Sequence, residues 1–573
     1  MIYINVLFWY FTEDKAGVAM NFTLKKAVTT VVIFLALTFS AALSYASDDE
    51  EYIRIGLFFK DSAAGVNSAV ASFSVSSDKG LSVGFYDGRD FEELYEEEDS
   101  ETFTIRKDAY YVINNGVFSE YNPSAQNNPG ENRIGPFHIR LGRDYEDFDS
   151  VEKEIRSIKK KGIDAFPVYA DEWQIWTGFY TDRTSAEEDI KKIKKKLDDG
   201  TYKVVEPSDS RVVIFSNDGD VKLMFESDEN FLRVMPLAKK NQQVIKVNGV
   251  RYRGGIEVRR IKGSDMTVIN VLPLEHYLYG VVPAEIEASS HPEALKAQAV
   301  VARTYTLNNL GKHGNLGFDL CNTTHCQVYK GVSAEADSTN EAVDDTEGET
   351  VMYKGERAQV FYFSSSGGRT EDVENVWSTP LPYLRSVEDK YESGKSTNYI
   401  WESTYSAAKI KEIMLERGYD LGDIVSVKIT KTAPSGRVTE LVIKGTKGER
   451  VYTKSGCRSV FRTLCSQWYT ITTDADVSVK AGDGENVKTT LAGSKVITAG
   501  GVKTLDAGGK PLIVVGAKNS KRSVSATPQV YTFSGRGWGH GVGMSQEGAK
   551  GMANAGFKYD EILRHYFQGT TIE

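Results

Sequence analysis

Pro273-Leu274-Glu275-His276-Tyr277-Leu278-Tyr279-Gly280-Val281-Val282-Pro283-Ala284-Glu285 runs on through Ser290-His291-Pro292-Glu293 into Ala294-Leu295-Lys296-Ala297-Gln298-Ala299-Val300-Val301-Ala302-Arg303-Thr304-Tyr305. The second half of this stretch reads as a helix. Ser290 and Glu293 have the spacing of a capping box, and Pro292 suits a first helical turn. The alanines that follow raise helix propensity and let another backbone pack close. Before the helix, the apolar run is strand-like, so Glu285 is expected where a strand gives way to a helix. Partial burial there raises a carboxyl's pKa toward working pH, which suits a general acid. Glu287, two residues on, faces elsewhere on an extended backbone. Glu275 and Glu293 have structural explanations, Glu293 as part of the cap.

Around this stretch the chain has 573 residues, and at about 150 residues per domain that predicts roughly three or four domains. It is 40% hydrophobic and 26% charged, which permits large cores and excludes a mostly disordered or collagen-like chain. A formal net charge of -10 lacks the basic footprint of a general nucleic-acid binder, so no nucleic-acid partner is expected. Four cysteines cannot be the main source of stability in so long a chain.

Lys25 and Lys26 precede an apolar run from Ala27 to Phe39, and Ser44-Tyr45-Ala46 resembles a small-x-small cleavage site. That order describes a secretory signal peptide over residues 20–46, starting at Met20. A secreted or extracytoplasmic protein is the expectation. The alternative is a retained membrane anchor, for which the run is short of the ~20 residues a span needs.

Residues 51–131 read as an N-terminal β-rich segment, with Ile53, Ile55, Leu57 and Phe59 alternating as on a half-buried strand. Tyr121–Glu131 reads as a linker. Residues 135–207 change character. Phe137, Ile139 and Leu141 read as a strand, and Val151, Ile155 and Ile158 recur at helical spacing. Ala165–Tyr169 and Gln174–Tyr180 read as a strand pair. Thr184-Ser185-Ala186-Glu187 reads as a capping box opening a helix, and Tyr202–Val205 as a last strand. This βαββαβ order makes a compact α+β unit. Strands resume after Arg211, and those on either side of the unit are expected to form one β region into which it is inserted. The remaining region, 210–573, carries a β-rich insertion at about 474–527. The expected fold class is α+β and multidomain.

Cys321-Asn322-Thr323-Thr324-His325-Cys326 puts two thiols and an imidazole within one short loop, and His313 upstream could complete a Cys2His2 set suited to zinc. An oxidising exterior allows a Cys321–Cys326 disulfide instead; free thiols are the third reading. Cys457 and Cys465 lie in an apparent helix, Gly456 to Trp468. Eight helical residues span about 12 Å, too far for a disulfide, so both are expected as buried packing thiols.

The unit at 135–207 resembles a SPOR domain, the module that binds peptidoglycan glycan strands lacking stem peptides. The resemblance rests on the Phe137-to-Leu141 opening and on Trp176-Thr177-Gly178-Phe179-Tyr180 followed by Ser185-Ala186-Glu187. It implies that Trp176 and Phe179, with Trp173 and Tyr180 nearby, offer flat faces to sugar rings. Strand alternation sends neighbours to opposite faces, so part of this set belongs to the core.

The Glu285 stretch, His325-Cys326-Gln327-Val328-Tyr329-Lys330-Gly331, the run from Phe363 to Trp377 (FSSSGGRTEDVENVW) and the run from Gly537 to Ala549 (GWGHGVGMSQEGA) resemble the SpoIID/LytB family, in that family's order. The resemblance covers roughly residues 243–573. It implies a cell-wall-associated protein acting on peptidoglycan glycan strands. Its SpoIID branch contains lytic transglycosylases, which cleave the MurNAc-GlcNAc bond of denuded strands and leave 1,6-anhydro-MurNAc ends. Ordinary glycosidases use two carboxyl groups. A lytic transglycosylase needs one, because the substrate's own C6 hydroxyl attacks, and Glu285 takes that place by its position in Val-Val-Pro-Ala-Glu. No cofactor is required, although some members bind zinc through Cys and His in this neighbourhood, so Cys321, Cys326, His325 and His313 are candidate ligands.

Other site candidates follow from the same motifs. Arg303 could orient a carboxylate or a substrate group, or be a salt-bridged helix arginine. Gln327 and Tyr329 alternate with Val328 and could both face a groove. Tyr362, Ser364, Ser365 and Ser366 precede Gly367-Gly368, a backbone able to approach a glycan closely. No hydrolase elbow surrounds Ser366. The Gly537 motif lacks the Walker ending and reads as a tight loop placing His540, Ser545 and Gln546 at a cleft rim. His540 is there either a second acid or a hydrogen-bonded loop histidine. LytB-like relatives are described as modifiers of an amidase, so the alternative is a non-catalytic wall-binding activator of a cell-wall amidase. A zinc-dependent wall hydrolase is a third option.

Overall fold

The computed structural model describes residues 52–573 apart from 64, 89, 115–116, 125–131, 198–199, 240–241, 263, 378, 398, 481–485, 491–494, 505–511, 516–518 and 526. The signal peptide expected over 20–46 and the second half of the linker at Tyr121–Glu131 lie outside the described residues.

Helices and strands are mixed over several sheets, an α+β fold. The alternating apolar side chains of Tyr52–Phe58 are buried, and that strand pairs antiparallel with Met266–Pro273, far along the chain. Other strands close over the same interval. Leu81–Asp87 pairs with Leu232–Pro236, Thr102–Lys107 with Val212–Phe215, and Ser72–Ser76 with Val244–Val247. Pairing at such separation costs loop-closure entropy, which the continuous apolar core beneath these strands offsets.

The βαββαβ unit sits between the two halves of that β region. Its strands are Phe137–Tyr145, Ala165–Ala170, Glu172–Tyr180 and Tyr202–Val205, with helices α1 (Phe148–Lys160) and α2 (Arg183–Leu197). α1 buries Val151, Ile155 and Ile158, and the Asp147 carboxylate caps it by accepting the Ser150 N–H. α2 begins before the Thr184–Glu187 box. The Asp182 carboxylate accepts the Ser185 N–H at 2.8 Å and takes the cap instead. Ala165–Ala170 runs parallel to Val221–Glu226, so the unit's sheet is continuous with its neighbours in one ten-stranded sheet.

The decisive stretch differs from its reading in one respect. Leu274–Glu285 is a helix, α3, and no strand runs up to Glu285. Leu274, Tyr277, Leu278, Gly280, Val281 and Val282 are all buried. A helix covered almost all round carries no polar face, so its sequence lacks the periodicity that marks an amphipathic one. Pro283 lies in the last turn, and the chain turns extended at Ile286. α4 follows as Pro292–Asn308, with Pro292 in its first turn. Its cap is His291, whose Nδ1 accepts the Glu293 N–H at 3.2 Å, while Ser290 stays outside the cap and its hydroxyl has no partner.

A second apolar core lies within residues 401–533. Its sheet places Val530–Arg536 between Ile400–Ser406 and Tyr469–Thr473. The apparent helix from Gly456 is only Gly456–Ser459. Cys465 is therefore not helical; Cys457 is buried, Cys465 is half-buried, and both thiols are free. Between Thr473 and Val530 the described residues form three two-stranded hairpins.

Candidate active site

Glu285 is the last residue of α3 and lines a cleft of about 610 Å³. α4 supplies Tyr305 to the same cleft, the 320–331 loop supplies His325 and Cys326, and the lobe with the second core supplies Arg458. Tyr362–Phe363 runs parallel to Met544–Ser545, which brings Tyr362 and Gln546 to the carboxyl from distant parts of the chain.

The carboxyl is half-buried and fixed on several sides. The Val328 N–H donates to its Oε1 at 2.7 Å, and the Tyr362 hydroxyl and the Gln546 amide also reach it. Burial raises its pKa above the ordinary glutamate range; these donors and the charge of Lys330 offset only part of that. Gln327 acts one step back. Its Oε1 accepts from the Thr306 hydroxyl at 2.8 Å and its Nε2 donates to the Tyr362 hydroxyl oxygen at 3.2 Å. That bond leaves the Tyr362 proton free to point at Glu285.

The Gly537 motif works through its glycines. Residues 537, 539, 541 and 543 all have positive φ, between 77° and 118°, a region closed to most side chains. A Cβ at Gly539 would stand 2.6 Å from the Phe363 Cβ, and one at Gly543 would stand 2.2 Å from the Phe361 carbonyl oxygen. The alternation lets this loop lie flat against the strand that carries Tyr362. Trp538, 43% exposed, is held at the cleft by its backbone bridge to Ser365.

Several expected site residues do other work. Arg303 does not reach Glu285. It is fully buried and forks onto Glu275 with two bonds of 2.7 Å, then donates to the Glu349 and Val343 carbonyls. Tyr329 faces the interior, where its hydroxyl donates to Asn270 at 2.8 Å, because the loop turns inward at Gly331. Ser365 and Ser366 are buried and both hydroxyls donate to Glu392, so they fix a loop and are not presented to a glycan. Ser545 caps the helix Gln546–Asn554. His540 lines the cleft but is not an acid. Its Nδ1 accepts the Val542 N–H, so its Nε2–H donates to the Tyr362 carbonyl at 3.1 Å. Packing against Phe361, Phe363 and Trp377 and the nearby arginines pull its pKa down to about 3. In the βαββαβ unit Trp176 is 2% exposed, because His138 stacks on it and the Arg211 guanidinium lies 4.8 Å from its ring centroid. Phe179 is half-buried against Phe166.

Glu287, as expected, points away from the cleft and pairs with Lys550. Tyr362, Trp538 and the Val328 N–H each gain their place at the cleft from a neighbour far along the chain.

His313, Cys321, His325 and Cys326 converge, with one donor atom from each lying within 4.8 Å of the others. Tetrahedral zinc with ligands at about 2.0–2.3 Å holds its donors roughly 3.3–3.8 Å apart. The Cys326 Sγ lies 3.4 Å from the His313 Nε2 and 3.7 Å from the His325 Nδ1. The His313 Nδ1 stands 3.2 Å from the Asp61 carboxylate, the outer partner that commonly orients a metal-binding imidazole. The four residues fit a zinc ion. Cys321 and Cys326 are both free thiols.

Fold and site together define an α+β protein with a cleft of about 610 Å³ in which a half-buried glutamate is the one carboxylate among the described lining residues. Residues 262–353 match the family described as Stage II sporulation protein (SpoIID), and residues 383–485 match a Domain of unknown function (DUF8618). Over 365 residues the chain is 30% identical to a protein named Amidase enhancer from Bacillus subtilis (strain 168), a match covering 60% of this chain and 47% of that one. It thus spans about half the length of that relative. Over 379 residues it is 29% identical to Stage II sporulation protein D of the same organism, covering 63% and 90% of the two chains. The similarity to the SpoIID family thus rests on residues 262–353 and on the aligned stretches of these relatives.

Proposed function

We propose that this chain is an exported, wall-associated lytic transglycosylase that cleaves the MurNAc-GlcNAc bond of denuded glycan strands. The observation that carries the reading is that Glu285 is the one carboxylate among the described residues lining the cleft. A hydrolase built on two carboxyl groups would want a second about 5–9.5 Å away. In the proposed step Glu285, its pKa raised by burial, gives its proton to the glycosidic oxygen as the bond to C1 breaks. The C6 hydroxyl of the same muramyl residue then attacks C1, and the Glu285 carboxylate takes the hydroxyl's proton. No water is consumed and the acid is restored. Lys312 and Arg458 at the cleft favour a negatively charged strand. Purified protein given denuded glycan strands tests this. The expected products end in a 1,6-anhydro ring and are one water lighter than hydrolytic products, and Glu285→Gln removes them.

The zinc-fitting cluster is proposed as a structural site, with His313, Cys321, His325 and Cys326 as ligands. Its role is to brace the loop that carries Val328. The βαββαβ unit is proposed to bind glycan, on the strength of its element order and the half-buried Phe179 and Tyr180. The apolar run at 27–39 supports export.

A second reading has its own support. The relative named Amidase enhancer makes a non-catalytic activator of a cell-wall amidase the competing proposal. If the wild-type chain makes no anhydro ends yet accelerates an added amidase, that reading replaces the first.

A further inference from the structure

Between Thr473 and Val530, two of the hairpins carry their apolar residues outward. Lys495–Thr498 pairs with Gly501–Thr504, and Leu512–Val515 with Lys521–Val524, each as a two-stranded sheet of its own. A two-stranded hairpin with no further strand beside it is marginal in water. Among the described residues five large apolar side chains are more than half exposed, and four of them stand here. They are Ile497 at 88%, Val502 at 65%, Ile513 at 64% and Val515 at 58%. Single apolar residues scattered over a surface need no explanation, whereas neighbouring ones mark a place of contact.

The register makes neighbours of these side chains. Ile497 lies directly opposite Val502, one pair before the turn at Ala499-Gly500, and directly opposite residues share a face. Ile513 and Val515 are two residues apart and share a face of the second hairpin, where Lys521 stands opposite Val515. Charge gathers in the same segment. From Lys480 to Arg522 the sequence holds eight lysines and arginines against three aspartates and glutamates, in a chain whose formal net charge is -10. Lys495 shares the Ile497 face, Lys503 follows Val502, and with Lys521 all three are exposed. Lysines on an open strand edge also discourage pairing with other chains, so they carry little alone. Their excess beside outward aliphatic pairs carries more. Two copies of so basic a surface repel each other, which disfavours self-association as the cover.

We propose that these two hairpins dock the protein on an anionic lipid surface, with the four aliphatic side chains entering the headgroup boundary and the three lysines over the headgroup phosphates. Binding at a lipid interface combines buried apolar area with attraction to anionic headgroups. Each lysine near such a surface contributes through its charge, an effect that salt screens. A hydrophilic anionic polymer would engage the lysines and leave the aliphatic side chains in water, so lipid is the partner that accounts for both. The proposal stands whether or not the Glu285 cleft cleaves glycan.

Co-sedimentation of the full chain with vesicles tests it, using phosphatidylglycerol mixed with phosphatidylcholine, and phosphatidylcholine alone. The double variant Lys495→Glu, Lys503→Glu is expected to lose at least about tenfold in partitioning to the mixed vesicles, the scale set by two basic residues near an anionic surface. The double variant Ile497→Ser, Val502→Ser is expected to lose several-fold or more, because less apolar area enters the interface. All four positions are exposed, so both variants should keep the wild-type melting temperature. The apolar run at 27–39 is the same in every variant, and a local readout sets it aside. Ile497→Trp is expected to be quenched by brominated-chain phosphatidylglycerol beyond the quenching of wild type. That excess supports the proposal even where residues 27–39 dominate partitioning. No excess quenching overturns it, and loss of partitioning in the lysine variant alone then points to an anionic polymer. Equal excess quenching by brominated phosphatidylcholine alone overturns it as well.

Discussion

The backbone N–H of Val328 points at Glu285 Oε1 from 2.7 Å, and Val328 lies two residues after Cys326 in the zinc-fitting loop. The proposed acid and the Cys-His cluster are thereby joined through one short run of backbone. A side-chain substitution at 328 leaves the donor in place, so Glu285 depends on the path of the loop.

Glu285→Gln should abolish anhydro-product formation while the protein stays folded. Its stability should change with pH in a set direction. A glutamate raised by burial binds its proton more tightly folded than unfolded. Its ionisation therefore penalises the fold as pH rises past the unfolded value of about 4.3. Melting curves should show the variant gaining on wild type toward pH 8, and the two converging near pH 4. A gap that stays constant with pH would mean that Glu285 titrates as an ordinary surface acid.

Tyr362→Phe removes one of the donors that favour the charged carboxylate. The Glu285 pKa should climb further, moving the alkaline limb of the activity profile to higher pH. The rate should drop by roughly a hundredfold, the lower end for a positioned proton-transfer group. Gln327→Leu should shift the same limb in the same direction, because it frees the Tyr362 hydroxyl from its anchor.

Arg303→Ala strands the Glu275 carboxylate beside an emptied buried site. Breaking a buried pair from one side costs about 3–5 kcal/mol, so a large fall in chemical-denaturation midpoint is expected. Because Arg303 makes no contact with the cleft, the fraction that remains folded should keep its turnover rate.

His540 titrates in the opposite sense to Glu285. Its folded pKa of about 3 lies below the unfolded value of about 6.5, so folding is penalised as pH falls from 6.5 toward 3. His540→Gln should flatten the acid side of the stability curve. No limb near pH 6.5 in the activity profile should belong to this residue.

Cys326→Ser should lower bound zinc, measured by metal analysis of the purified protein, and lower the melting temperature. Chelation of wild type should lower the melting temperature as well. If chelation leaves folding intact yet stops cleavage with addition of water, a zinc-dependent hydrolase is the better account.

Much of this architecture was legible along the chain. The α+β class, the Tyr52–Phe58 strand, the helix carrying Arg303 and the βαββαβ order rest on local period and capping chemistry, which a linear reading senses. Leu274–Glu285 was missed as a helix because burial on nearly every side erases its periodicity. Trp176 and Tyr329 look available in sequence, yet His138 and Arg211 cover the first and the second faces inward to Asn270. Arg303 and His540 carry suitable chemistry for catalysis, but their partners, Glu275 and the Tyr362 carbonyl, lie too far along the chain for spacing to disclose.

By itself, then, the order of residues determined which groups are available: one glutamate in a family motif, a Cys-His loop, and a loop with glycine at 537, 539, 541 and 543. Only the tertiary structure decided which of them meet. It set Tyr362, Gln546 and the Val328 N–H around Glu285 and turned Arg303 away to Glu275. Local propensity depends on neighbours a few residues apart, whereas burial and hydrogen-bond partnership depend on strands and loops brought together from across the whole chain.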